Sequence, residues 1–139
     1  MLLQYSDAVR NAQLEAWETA IGAGAIFRLY AEVATANVAA AAPATCIAEG
    51  TLTGDWSGAA AAGVKNMING PFTVTGLAAA GAGTNAQSYR IYAADGTTCH
   101  EQGDVGITGS NNACTLDNPN IAEAQVLNVN TIQRQAGNA

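Results

Sequence analysis

His100 is the single histidine of the chain, so any nucleophile–base pair or histidine-ligated metal must be built around it. It lies in Thr97-Thr98-Cys99-His100-Glu101, on an expected strand. Neighbours on a strand point to opposite faces, so Cys99 and His100 do not readily share one metal ion. Cys114 can approach Cys99 across a hairpin, but no C-x-x-C or H-x-x-H spacing supports a Cys–Cys–His set. A Ser nucleophile would want a G-x-S-x-G turn, and Asp55-Trp56-Ser57-Gly58 lacks the leading glycine. Paired carboxylates can do acid–base work. Glu101 with Asp104, and Asp117 with Glu123, are close in sequence, with nothing but proximity to recommend them. Gly76–Gly83 matches a phosphate loop in composition only, because the Lys-Ser/Thr end is missing. Asp104–Asn112 offers oxygen ligands for calcium without an EF-hand's ligand order or closing Glu. The expectation is therefore a chain with no catalytic residue, no metal and no cofactor.

The composition points the same way. Of 139 residues, 31 are Ala, 15 Gly, 13 Thr and 12 Asn, so four small residue types supply about half the chain. Charged residues make up 12%, against roughly 25% in an ordinary domain. One lysine and little Leu or Glu exclude a coiled coil. A net charge of −6 gives no basic footprint for nucleic acid, so no nucleic-acid partner is expected. A hydrophobic share of 49% argues against disorder. Residues 1–139 read as one domain, with an arm and helix over 1–22 and a β domain over 25–135. An Ala-rich core buries little area per residue, which predicts modest stability completed by oligomerisation. Met1-Leu2-Leu3 runs straight into Gln4, Ser6 and Asp7, which is not a signal-peptide pattern, and no run of about 18 apolar residues occurs. No membrane partner is expected. The three cysteines, Cys46, Cys99 and Cys114, read as small hydrophobes of a reducing compartment.

The elements follow from periodicity. Ser6 is a good N-cap with Asp7 in the first turn, and Gly22 and Gly24 end the helix. Asp7, Asn11, Glu15 and Glu18 form the expected solvent face, opposite Leu14, Trp17 and Ile21 widened by Val9 and Ala20. Alternation then puts Phe27 and Leu29 on one face of a strand over 25–31, with Arg28 and Tyr30 on the other. Ala34–Thr45 is an Ala-rich connection, and Cys46–Thr53 a strand with Ala48 and Leu52 on one face. Gly54–Gly63 is a loop or a short helical turn, Met67–Leu77 a strand around Pro71, and Ala78–Asn85 a loop. Ser88–Ala93, the Asp95-Gly96 turn and Thr97–Ile107 form a hairpin, and Ala113–Asp117 and Gln125–Gln133 complete the set. The fold class is mainly β: an N-terminal helix followed by an antiparallel β-sandwich or jelly-roll-like barrel of about seven strands.

Phe27-Arg28-Leu29-Tyr30-Ala31 and Tyr89-Arg90-Ile91-Tyr92-Ala93 repeat one pattern. The plain reading is two strands facing one core. The sharper one is a pair of adjacent strands displaying Arg28 and Arg90 to an acidic or carbonyl-rich partner. Trp17 reads as the anchor of the helix on the sheet. Trp56 is either a plug over one barrel end or a partner anchor.

The succession Glu18-Thr19-Ala20-Ile21-Gly22, Phe27–Tyr30, Gly50-Thr51-Leu52, Asp55-Trp56, Tyr89–Tyr92, Asp95-Gly96-Thr97, Gln102–Gly106, Leu116-Asp117-Asn118 and Val126–Ile132 resembles a family of small tailed-bacteriophage proteins encoded among virion structural genes. The likeness spans nearly the full chain; Thr45 and Cys46 depart from the Pro/Gly turn usual before the second strand. It implies a decoration or cement protein on the capsid exterior, made in the host cytoplasm, with the major capsid protein and its own copies, as a trimer, for partners. The interface candidates are Met1, Leu2, Leu3, Tyr5, Arg28, Tyr30, Trp56, Arg90 and Tyr92, with Met1–Tyr5 as an arm that orders on the capsid. The alternative is a spike, fibre or tail module binding host glycan through exposed Trp56, Tyr30 or Tyr92. A small hydrolase dependent on His100 comes third.

Overall fold

Ser6 starts the helix as its sequence requires. Its hydroxyl accepts from Val9 N at 3.3 Å, and α1 runs over Asp7–Ile21 to Gly22, whose φ of 82° terminates it. The computed structural model describes residues 3–66 and 72–137. After α1 come β1 (Ala25–Tyr30), β2 (Cys46–Leu52), β3 (Val64–Asn66) and β4 (Phe72–Gly76). A 3-10 turn at Ala78–Ala80, β5 (Thr84–Asn85), β6 (Ser88–Tyr92) and β7 (Cys99–Ile107) follow. The chain ends with β8 (Cys114–Leu116), β9 (Asn120–Ile121) and β10 (Val126–Gln135). The expected strand over Met67–Leu77 is seen as β4; its first part, with Pro71, falls outside the described residues. The loop expected at Ala78–Asn85 holds the 3-10 turn and β5.

Seven strands close a barrel in the order β10-β4-β2-β1-β6-β7-β8 and back to β10; β3 pairs with the far end of β10. Among the described residues, closure leaves no long unpaired edge. Six seams of the ring are antiparallel, but β7 and β8 are parallel, which corrects the all-antiparallel expectation. Parallel neighbours ordinarily need a long crossover. Here the chain turns at Ile107, where Ser110 N bonds Ile107 O at 2.9 Å, and doubles back outside β7. Asp104 holds the returning segment by accepting from Ala113 N at 2.7 Å and Asn112 Nδ2 at 2.8 Å. Gly106 makes room: a Cβ there would collide with Asn112 and Ser110.

Three register shifts curve the wall. In each, one strand inserts an extra residue: Ile47 on β2, His100 on β7 and Asn130 on β10. Such bulges bend and twist a strand locally.

The barrel is filled by large side chains. Phe27, Leu29, Ile47, Leu52, Tyr89, Ile91, Leu116 and Ile132 are all at most 1% exposed. Among the described residues, 23 hydrophobic ones are buried, and of these only Ala25, Ala48, Ala80 and Ala86 are alanine. The core is thus not the thin, Ala-rich one that composition suggested. Much of the alanine is at the surface, at Ala39, Ala41 and Ala42, at Ala59, Ala61 and Ala62, and at Ala78, Ala79 and Ala82.

The helix docks by both sides. Leu14 and Ile21 are buried and Trp17 packs on the core, but Val9 and Ala20 are exposed. The face expected to meet solvent is instead a second anchor. Asn11 accepts from Gly63 N at 2.8 Å, Glu15 from Ala60 N at 2.6 Å, and Arg10 Nε donates to Ala136 O at 2.7 Å. Lys65, 0% exposed at its side chain, meets Glu15 at 2.6 Å and Glu18 at 2.8 Å.

Candidate functional site

The outer face of β1 and β6 collects most of the chemistry-bearing side chains. Alternation sends Phe27, Leu29, Tyr89 and Ile91 inward, so Arg28, Tyr30, Arg90 and Tyr92 must point outward. β1 and β6 are antiparallel neighbours with Arg28 directly opposite Arg90. The adjacency expected from the repeated motif is therefore present, but the display is not. A strap over 31–45 crosses this face. Arg90, 2% exposed, donates from Nη1 to Ala40 O at 3.1 Å, and from Nη2 to Asn37 O and Ala41 O at 3.4 Å each and to the Thr35 hydroxyl. The carbonyl-rich surface that Arg90 recognises is its own strap. Gln102 and Glu32 pin the same segment: Gln102 Nε2 donates to Thr35 O at 2.6 Å, and Glu32 accepts from Thr45 N at 3.1 Å. The bond from Thr45 holds the Glu32 carboxyl below its ordinary value.

Arg28 is treated differently. Its Nε donates to Glu49 at 2.6 Å, its Nη1 to Gly96 O at 2.9 Å, and its guanidinium lies 4.9 Å from the Tyr92 ring centre. Burial alone would lower its pKa, but the Glu49 carboxylate outweighs that and raises it. The Tyr30 and Tyr92 hydroxyls bond each other at 2.8 Å, and burial first, then that bond, pushes the Tyr30 phenol well up. Between strap, strands and the Asp95-Gly96 turn lies a cleft of about 550 Å³, lined by Arg28, Arg90, Tyr92, Cys99, the alanines of 39–42 and the turn.

This face has a local two-fold symmetry, and the sequence carries it further than the Phe27–Ala31 and Tyr89–Ala93 echo. Thr45-Cys46-Ile47-Ala48-Glu49-Gly50-Thr51-Leu52 answers Thr98-Cys99-His100-Glu101-Gln102-Gly103-Asp104-Val105. Arg28 pairs in register with Glu49, and Arg90 with Gln102; Tyr30 pairs with Cys46 across one bulge, and Tyr92 with Cys99 across the other. Ala31 N bonds Thr45 O at 3.0 Å, and Ala93 N bonds Thr98 O at 2.9 Å. Each thiol then bonds the carbonyl two residues on, Cys46 at 3.6 Å and Cys99 at 3.3 Å. That second half of the repeat is the sequence signal that would have revealed the paired units.

A second polar group lies inside the barrel, near the helix. Tyr89 OH donates to Glu101 Oε1 at 2.6 Å, Arg134 Nε donates to Glu101 Oε2 at 2.7 Å, and the Arg134 guanidinium lies 5.8 Å from the Trp17 ring centre. Burial pushes the Tyr89 phenol up to about 12. The three groups satisfy one another, as buried polar atoms must.

The other candidates separate. His100 is the bulged residue of β7 and exposed, so strict alternation does not apply to it; Cys99 faces the outer cleft, while Cys114 is in the core beside Val105. Glu101 points inward while Asp104 is exposed, so they form no carboxylate pair. Among the described residues, no three His, Cys, Asp or Glu side chains are grouped to hold a metal ion. Trp56, 7% exposed, plugs the helix end of the barrel: its ring meets Trp17 edge-on at 5.3 Å and its Nε1 donates to Gly22 O at 3.2 Å. Tyr30, Trp56, Arg90 and Tyr92 are all buried, which corrects their reading as exposed partner anchors and removes the aromatic platform of the glycan alternative. Leu3 and Tyr5 are exposed; Met1 and Leu2 lie outside the described residues.

No family model, curated protein or solved structure matches this chain. Among the described residues, no helix is long and apolar enough to cross a membrane.

The cysteines give a direct check of the placement. All three are free thiols, and burial raises each thiol pKa, most strongly for Cys114. A raised pKa leaves little thiolate to react. Native protein at pH 7.5 is expected to label slowly with a disulfide reagent at Cys46 and Cys99, and at Cys114 only after unfolding. Rapid native labelling at Cys114 would contradict its interior position.

Proposed function

We propose that this chain is a non-enzymatic virion structural protein, a decoration or cement protein that binds the major capsid protein on the capsid exterior and self-associates as a trimer. The observation that carries the reading is an exposed apolar run leading into a fastened helix. Leu3 is 49% exposed, and Tyr5 and Val9 continue the run onto the first turns of α1. The other side of α1 is fastened by Lys65 and by Arg10, Asn11 and Glu15. A second exposed apolar set lies at the opposite rim, where Val33 and Leu77 follow β1 and β4, Ile107 ends β7 and Val126 opens β10, and it supplies surface for self-association. The resemblance to phage virion proteins supports the same reading. Binding assembled capsid alone stabilises that assembly by mass action.

Deleting residues 1–5 keeps the Ser6 cap and is expected to leave the melting temperature within about 3 °C, an effect below roughly 1 kcal/mol. Capsid occupancy in co-sedimentation should fall at least tenfold. Unchanged occupancy would refute the arm's role. Val126→Glu is expected to shift the trimer to monomer in sedimentation velocity without altering the fold.

A further inference from the structure

We propose that the cleft beneath the strap is a binding site for a short aliphatic carboxylate, with Arg90 and Arg28 as its cationic end. The first observation is a broken symmetry. In one half of the face Arg28 has Glu49 opposite and bonded to it; in the equivalent half Arg90 has neutral Gln102. The second is an uncompensated charge. Arg90 is 2% exposed, has no ion-pair partner among the described residues, and its buried Nε bonds nothing. Carbonyl dipoles satisfy its Nη1 and Nη2 but bring no negative charge, and a buried cation without an anion is costly.

The third observation is the cleft itself. Its lining holds two of the chain's five basic residues and none of its eleven acidic ones. Arg28 Nη2 has no hydrogen bond among the described residues and is free to donate to an anion there. One side of the wall is aliphatic, carrying Val38 and the alanines of 39–42, and faces Tyr92, Thr97, Thr98 and Cys99 on the other. A volume of about 550 Å³ far exceeds one carboxylate group and leaves room for an alkyl body along that wall. A guanidinium end with an aliphatic wall selects a carboxylate with a short hydrocarbon stem. Such a group comes either from a free small acid or from a Glu side chain of another polypeptide.

The test is an NMR titration of the full chain, read at the Arg side-chain Nε–H and the strap amides, at constant ionic strength. Butyrate is expected to bind about tenfold or more tightly than acetate, since each buried methylene is worth roughly fourfold. Acetyl-Gly-Glu-Gly-amide tests the polypeptide source. Saturation by the peptide assigns a partner's side chain; saturation by butyrate alone assigns a small acid. Arg28→Gln should weaken binding at least tenfold. Gln102→Glu, which places a carboxylate where the other half has one, should abolish it in a protein that still folds. Shifts no larger than those given by chloride, or binding that survives Gln102→Glu, would overturn the proposal. Neither result bears on capsid attachment, which is read separately.

Discussion

Replacing Glu15 and Glu18 together by Gln is expected to lower the unfolding free energy by about 3–5 kcal/mol, the usual effect of leaving a buried charge without its partner. Lys65 is the reason. Its side chain is 0% exposed, and its ammonium is held at 2.6 Å by Glu15 and at 2.8 Å by Glu18. The double variant leaves that ammonium facing neutral amides. Either single variant leaves one carboxylate in place and should lose less than half as much. Burial lowers the Lys65 pKa, but the bonds to Glu15 and Glu18 outweigh it and the net shift is upward. The bond from Lys65 is also the main cause lowering the Glu15 carboxyl below its usual range, with Ala60 N second. The signs then set the pH dependence. Glu15 stabilises above its unfolded pKa, and that contribution disappears as pH falls through its lower folded value. Lys65 stabilises below its unfolded pKa, and its contribution disappears only as pH rises through its higher folded value. Urea unfolding followed by far-UV circular dichroism and by Trp fluorescence measures the loss, since Trp17 rests edge-on against Trp56 at 5.3 Å and reports helix docking. The wild type should lose stability in acid that the double variant has already lost, giving the variant a flatter profile below pH 5. A loss under 1 kcal/mol would remove the clamp as the helix anchor.

That clamp marks the boundary of what local sequence shows. Ser6 and Gly22 state where α1 begins and ends because caps act on neighbours within one turn. The inward set of β1 and the Asp95-Gly96 turn are legible for the same reason: their physics is local. The polar stripe of α1 misleads because its partner, Lys65, is fifty residues away, and a lone lysine gives no sign that it will be buried. The strap is hidden similarly. Nothing in an alanine-rich connection announces that its carbonyls will receive Arg90. The repeat was half legible. Its first segments stand out, but the connection before the second segment is nine residues longer in the first copy, Glu32–Ala44 against Ala94–Thr97, and this displaces the match. Composition misled about the core because it has no positions. Alanine outnumbers every other residue, yet aliphatic and aromatic side chains fill the barrel and many alanines coat it.

Phe27→Ala is expected to cost about 3–5 kcal/mol, comparable to the loss of the clamp but through a different cause. Phe27 is fully buried, stacks on Tyr89 with centres 5.4 Å apart, and meets Phe72 edge-on at 5.1 Å. It therefore joins β1 to its neighbour β6 and, through the barrel interior, to β4, which lies beyond β2 in the ring. Truncation leaves a cavity that Phe72 and Tyr89 cannot fill, since Tyr89 OH is held by Glu101 and Arg134. Phe27→Leu keeps most of the volume and should lose roughly 1–2 kcal/mol. The adjacent outward residue gives the control. Arg28→Met breaks a partly exposed ion pair and should change stability by about 1 kcal/mol or less. Equilibrium urea unfolding with an unchanged m-value tests the set. Equal effects at positions 27 and 28 would contradict the division of β1 into a face that holds the barrel and a face that builds the cleft. With that division intact, Phe27→Ala should leave the butyrate shifts in place at temperatures where the variant is folded, while Arg28→Gln removes most of them without unfolding the chain.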